Sequence, residues 1–293
     1  MSPTSLDPDL KKLMLSWQKT EITEHYIYSN LAKVVKDPHN RQVIEQIAAS
    51  EAEHAATFKS YTGKEISPNR WQIFIYYWIA RLFGLTFGVK LMERGEEGAQ
   101  AAYAGVSQRI PDVERILEEE EEHEEQLLAM LDEEALRYAG SVVLGLNDAL
   151  VELTGALAGL TFAFQNTNLI AFTGLITGIS AAFSMAASEY LSARADEQET
   201  NPLKAAVYTG IAYIFTVSIL VLPYFILKNY IFCLAWTLTN AILVIAAFNF
   251  YIAVVKGLNF AKRFLEMALI SLGVATFSFG VGVLIRKFFG LEV

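Results

Sequence analysis

The sequence predicts an all-α protein in two parts, a cytosolic four-helix bundle followed by a five-helix transmembrane domain. Three observations carry that prediction. Charge and apolarity are segregated: residues 1–137 hold most of the charge, whereas 140–293 is mostly long apolar runs. In the second part, five stretches reach the roughly 20 apolar residues that a spanning helix needs. In the first part, four segments repeat apolar residues at steps of three and four, the period of one helix face. The 293 residues leave room for two ordinary domains. At 53% hydrophobic and 19% charged, with mean hydropathy +0.32, the chain is too apolar for a single water-soluble globule.

The helices of the first part are expected at 9–36, 39–61, 70–108 and 111–132, punctuated by Asp37-Pro38, Ser67-Pro68 and Pro111. The first stripe reads Leu10, Leu13, Trp17, Glu21, Glu24, Tyr28, Leu31. The second reads Ile47, Glu51, His54, Phe58, Tyr61, so two polar residues interrupt a core-facing row. The third reads Leu85, Val89, Met92, Glu96, Ala99, Tyr103, Val106. The fourth reads Val113, Ile116, Glu120, His123, Leu127, Met130. It runs through "EEEEEHEEQL", which alone reads as a solvated acidic face. The other glutamates of that run are expected to point mostly elsewhere, and His25 and His39 to lie on the surface.

In order, the four helices therefore present Glu, Glu-x-x-His, Glu, Glu-x-x-His. A four-helix bundle holds two iron or manganese ions in this way. Bridging carboxylates offset the repulsion between two cations, and each Glu-x-x-His adds a hard oxygen and an imidazole on one face. Carboxylates buried without such a partner cost several kcal/mol each.

"EITEHYIYSNLAK" from Glu21 and "EQIAASEAEHAATF" resemble the first and second helices of the rubrerythrin and ferritin-like di-iron proteins. The resemblance spans about 10–132. It implies metal ligation by Glu21, Glu51, His54, Glu120 and His123, with Glu24 an extra ligand. The third-helix ligand is Glu96 by its place on the stripe, with Glu97 and Glu93 as alternatives. The sequence has no paired cysteines for rubrerythrin's rubredoxin iron, which counts against a peroxidase.

The stretch Trp71–Met92, "WQIFIYYWIARLFGLTFGVKLM", is long enough to span, but Arg81 and Lys90 interrupt it. Its aromatic crowding favours an interfacial or dimer-buried helix.

Spanning helices are expected at 141–164, 169–191, 203–227, 230–255 and 264–286. Nothing at the N-terminus resembles a signal peptide, so that end is expected in the cytosol. The basic residues Arg194, Lys204, Lys256, Lys262 and Arg263 then fall inside, while Arg286 and Lys287 fall outside, against the trend. The single cysteine, Cys233, excludes an intrachain disulfide. The net charge of −9, concentrated in the first half, excludes nucleic acid as the expected partner and suits cations.

Ionisable residues inside a membrane are functional candidates. Asp148 and Glu152 lie one turn apart on the first span, Met185 and Glu189 one turn apart on the second. The spans are antiparallel, and Asp148 and Met185 each sit about 10 Å from the cytosolic end at 1.5 Å per residue. A carboxylate with a thioether suits a soft-to-borderline divalent metal. Gly155, Gly159, Gly174 and Gly178 permit close helix packing.

"GLNDALVELTGALAGL" and "SMAASEYLSARADEQE" resemble the first two membrane helices of the vacuolar iron transporter family, over about 139–290. The resemblance implies export of iron or manganese from the cytosol by a homodimer, in exchange for protons. The eukaryotic members carry a long cytosolic metal-binding insert after the second span. Here only 193–202 is available, where Asp196, Glu197 and Glu199 are expected to form a short acidic relay. The expected protein is thus an integral membrane transporter of a prokaryotic plasma membrane, taking Fe²⁺ or Mn²⁺ from a bundle that holds two iron ions. The alternative is a membrane-anchored ferroxidase or peroxide reductase whose apolar helices are only an anchor.

Overall fold

The computed structural model describes residues 7–92, 94, 110–129, 138–195 and 201–289. Among them there is no strand. The chain divides into two units, Met1–Asp132 and Glu133–Val293.

The first unit begins with α1, Pro8–Ala32, and α2, Pro38–Thr62. Both start on an aspartate cap followed by proline, whose missing N–H costs nothing in the first turn. Asp37 accepts from the Asn40 N–H at 2.9 Å. Gly63, at φ +66°, ends α2 in the left-handed region that glycine adopts without strain. α1 and α2 pack along their lengths. At the Thr62 end of α2, the Gln18 amide nitrogen donates to the Lys64 carbonyl and Thr62 donates to the Gln18 amide oxygen.

The third segment is not one helix. α3 covers Arg70–Phe83, capped by Asn69, and a second helical run covers 85–92. Gly84 breaks them, with φ +96° and ψ 151°, backbone space essentially reserved for glycine. Beyond the break the chain comes back close to α3: a Cβ on Gly88 would lie 2.5 Å from the Ala80 Cβ. At 14 residues α3 is about 21 Å long, short of the roughly 30 Å hydrocarbon core. α4 covers Pro111–Ala129.

The unit's core is built in layers. Met14, Trp17, Phe58, Val113 and Ile116 form one apolar cluster. Ile27, Leu31, Ile44, Ile47, Val89 and Leu127 belong to another. Between them, in the sequence of each of α1, α2 and α4, falls the glutamate of the stripe.

The second unit has five helices long and apolar enough to cross a membrane: α5, Ala139–Phe164; α6, Thr167–Ala195; α7, Pro202–Ile226; α8, Tyr230–Val255; and α9, Phe260–Phe289. Each lies within a few residues of its expected span. α5 packs against the other four. Glycines make these approaches possible. A Cβ on Gly282 of α9 would lie 2.3 Å from the Gly159 carbonyl oxygen of α5, and one on Gly178 of α6 would lie 2.6 Å from Val217 of α7. Pro223 sits inside α7 and has no N–H for the Ile219 carbonyl. The Asn240 amide of α8 donates to that oxygen at 3.1 Å, and Thr237 donates to the next carbonyl, Leu220, at 2.8 Å. A helix in lipid has no water for such a freed group, so a neighbouring helix satisfies it.

Candidate metal centre and membrane carboxylates

α1 supplies Glu21, α2 supplies Glu51 and His54 one turn apart, and α4 supplies Glu120 and His123 one turn apart. Glu21, Glu51 and His54 are buried and Glu120 nearly so, and one ligand atom from each lies within 4.8 Å of the others. His54 Nδ1 is 3.0 Å from a Glu120 oxygen and 3.5 Å from oxygens of Glu21 and Glu51. His123 Nδ1 is 3.4 Å from Glu51 and 3.8 Å from Glu120.

The oxygens divide. Glu51 directs Oε2 to His54 and Oε1 to His123; Glu120 directs Oε1 to His54 and Oε2 to His123. The imidazoles face each other with centroids 5.8 Å apart. His54 and His123 thus share the same two carboxylates. Although close, His54 Nδ1, His123 Nδ1, Glu51 Oε2 and Glu120 Oε1 are buried without a hydrogen bond. Buried polar atoms left so, within a few ångströms of one another, are what a ligand set for a cation presents. The cluster can hold a metal.

The electrostatics agree. Burial drives the Glu21 carboxyl well above the usual carboxylate range, and Glu51 and Glu120 push it the same way. Burial also acts upward on Glu51, but the neighbouring His123 and His54 outweigh it and hold the group at about 2. Burial works against charge on His54, yet Glu120, Glu21 and Glu51 raise it far above the ordinary imidazole value. His123 resists burial likewise and is raised to about 9 by Glu120 and Glu51. Without metal, these surroundings favour protons on both histidines and on Glu21.

Two residues outside the expected set touch the cluster, Ser50, whose Oγ lies 3.4 Å from His54 Nε2, and Glu119. Glu119 accepts from His54 Nε2 at 2.7 Å and is held by Arg115 at 2.8 Å. It fixes His54 with Nδ1 facing the cluster, the role an outer carboxylate plays for a ligating histidine. Its only sequence signal is the i,i+4 pair with Arg115. His25 is not a plain surface residue, because its Nδ1 lies 2.6 Å from the Ala48 carbonyl of α2; His39 is exposed. Glu24 is buried on α1. The candidates Glu93, Glu96 and Glu97 lie outside the described residues, as do Asp196, Glu197 and Glu199.

In the second unit, Asp148 is half-buried and Glu152 exposed on α5. Fully buried Tyr213 of α7 donates its hydroxyl to Glu152 at 3.0 Å, a partner that nothing in the apolar run of α7 announces. Glu189 of α6 accepts from Ser141 of α5 at 2.5 Å. Met185 is half-buried against the apolar core of this unit. The outward face of α6 carries Thr177, Ser180, Ser184 and Ser188, all exposed at helical spacing.

Residues 139–199 match the model of the VIT family. The match covers α5 and α6 and includes Asp148, Glu152, Met185 and Glu189. No curated protein and no solved structure matches the chain at a significant level. The match and the five apolar helices support a membrane transport role for the second unit.

Proposed function

We propose that the protein is a divalent-metal transporter that exports iron, or alternatively manganese, from the cytosol in exchange for protons, and that its first unit is a ferritin-like bundle that captures the metal. The observation that carries this reading is the pair Asp148 and Glu152. They stand one turn apart on an apolar helix matched by the VIT family, with Glu152 held by buried Tyr213. Charges at mid-helix cost about 2.5–3.5 kcal/mol each on insertion scales, and a mere anchor has no use for them. A carboxylate holds a proton or a cation but not both. Alternate occupancy of this pair couples outward metal flow to inward proton flow. Glu189 extends the path, and Met185 contributes a thioether that favours softer ions.

A homodimer is part of this proposal. Glu152 and the hydroxyl stripe of α6 are exposed on a single chain. Acyl chains solvate a carboxylate poorly, and a second copy, or a water-filled path between copies, would cover Glu152 and this stripe.

In the bundle, Glu21, Glu51, His54, Glu120 and His123 would hold the metal pair. Glu96 is the proposed third-helix ligand, Glu93 or Glu97 standing as substitutes, and Glu24 the auxiliary one. Asp196, Glu197 and Glu199 would pass metal toward α5. Two iron ions there would supply redox chemistry toward O₂ or peroxide, which favours a second reading, a membrane-anchored ferroxidase or peroxide reductase. That reading leaves Asp148 and Glu152 without a task.

The test is metal uptake by proteoliposomes carrying the full chain under an imposed pH gradient. Gradient-dependent Fe²⁺ accumulation supports the transporter. Iron oxidation with no accumulation supports the anchored enzyme.

A further inference from the structure

α3 carries a feature that neither the metal centre nor the membrane helices use. Trp71, Phe74, Trp78 and Leu82 fall on one helix face at steps of three and four and are exposed, Trp71 by 69% and Leu82 by 70%. The aromatic rings form a ladder: Trp71 stacks on Phe74 at 5.9 Å, and Phe74 meets Trp78 edge-on at 6.3 Å. The opposite face, with Ile73, Tyr77 and Ala80, packs into the bundle. Among the described residues, the exposed stripe is thus the face of α3 that the bundle core does not use.

Its charge is opposite to that of the chain. The protein carries −9, yet α3 has Arg70 and Arg81, both exposed, and no carboxylate. Beside the stripe, between α1 and α3, opens a cleft of about 390 Å³. Asn30, Lys33 and Arg70 line its polar side, and Phe74 and Tyr77 its apolar side. Two cations beside aromatic rings recognise a phosphate attached to an apolar chain.

We propose that this face of α3 lies on the lipid bilayer and that the cleft takes the phosphate headgroup of an anionic phospholipid between Lys33 and Arg70. A helix with tryptophan, phenylalanine and leucine on one side and arginine at its flanks lies in the interface, its apolar face about 5–10 Å into the headgroup boundary. The tryptophans suit that depth, because their rings pair an apolar body with a polar N–H. A second copy of the chain is the competing occupant. Two such faces paired about a two-fold axis would gather four arginines with no acidic residue of α3 to meet them. Anionic lipid supplies the missing charge.

The experiment uses the full chain reconstituted in vesicles of phosphatidylcholine, with and without phosphatidylglycerol. A nitroxide is placed at Phe74→Cys or, as control, at exposed Glu45→Cys, in a Cys233→Ala background. In the phosphatidylglycerol vesicles the label at 74 should be reached by O₂ in preference to a nickel chelate, at a depth of about 5–10 Å. The label at 45 should remain aqueous. Lys33→Glu with Arg70→Glu, both exposed changes, should return the label at 74 toward water. A label at 74 open to the nickel chelate in both vesicles overturns the proposal. So does spin–spin broadening between copies in both lipids, which would assign the face to a second chain. Burial that is equal in both lipids and indifferent to the charge reversal overturns the headgroup site.

Discussion

Glu51 and Glu120 divide their carboxylate oxygens between the same two histidines, each giving one oxygen to His54 and the other to His123. Glu51 comes from α2 and Glu120 from α4, so the sharing is a property of the packed bundle and not of either helix. A cation held among these groups would be balanced by the same two carboxylates. The same carboxylates hold protons on the histidines when metal is absent. Metal and protons therefore compete for one set of charges.

The first prediction follows from that competition. His123 is raised to about 9 and His54 is raised further, so both are protonated near neutrality in the metal-free bundle. A histidine ligates only as the neutral base, so binding releases protons and affinity climbs as pH rises toward about 9. The histidines' contribution to metal-free stability has the opposite sign. It is complete below the unfolded imidazole value of about 6.5 and is lost as pH rises through the folded value. Glu51, held at about 2, contributes stability above the unfolded carboxylate range that is lost as pH falls through its folded value. Calorimetric titration with Fe²⁺ or Mn²⁺ in buffers of different ionisation enthalpy should register proton release that shrinks above pH 9. A pH-independent affinity would contradict this.

Glu119→Gln keeps the size of the side chain but replaces the carboxylate that accepts from His54 Nε2. Loss of such an outer partner costs about 10–100-fold in metal affinity. Anaerobic titration of the variant should show that loss with the fold intact by circular dichroism. An exposed glutamate of the same run, Glu121, changed in the same way should have no effect.

Tyr213→Phe removes the hydroxyl that reaches Glu152 from a fully buried ring. A hydrogen bond to a charged group contributes about 1.5–3 kcal/mol. Flux in liposomes should fall by about tenfold or more while the protein stays monodisperse. Unchanged flux would make Tyr213 a packing residue.

Gly282→Ala places a methyl group 2.3 Å from the Gly159 carbonyl oxygen, a backbone atom that cannot step aside. Overpacking of this kind costs about 1–3 kcal/mol. Thermal unfolding in detergent should shift downward for Gly282→Ala and stay near wild type for Gly273→Ala, where nothing lies within 4 Å.

The five apolar helices were legible because lipid imposes length and composition on each helix separately. The stripes of α1, α2 and α4 were legible for a related reason: burial on one face repeats every three or four residues, and an acidic residue in that row stands out. The break at Gly84 was not, since a glycine within an apolar run reads the same in a continuous helix as at a turn. Glu119 and Tyr213 were hidden because each acts through a partner on another helix, His54 and Glu152. Such pairings belong to the packing. His25 looked like a surface residue on its own helix and finds its partner on α2.

Passage of metal across the membrane by way of Asp148, as proposed, is tested by Fe²⁺ flux through the Asp148→Asn variant of the whole chain in proteoliposomes under a pH gradient. Asparagine keeps the size and hydrogen bonding of aspartate but can carry neither proton nor cation as a carboxylate does. The account predicts that flux collapses while the bundle, in the other unit, still loads metal to the wild-type stoichiometry. Transport at the wild-type rate would contradict it and leave Asp148 a structural polar group.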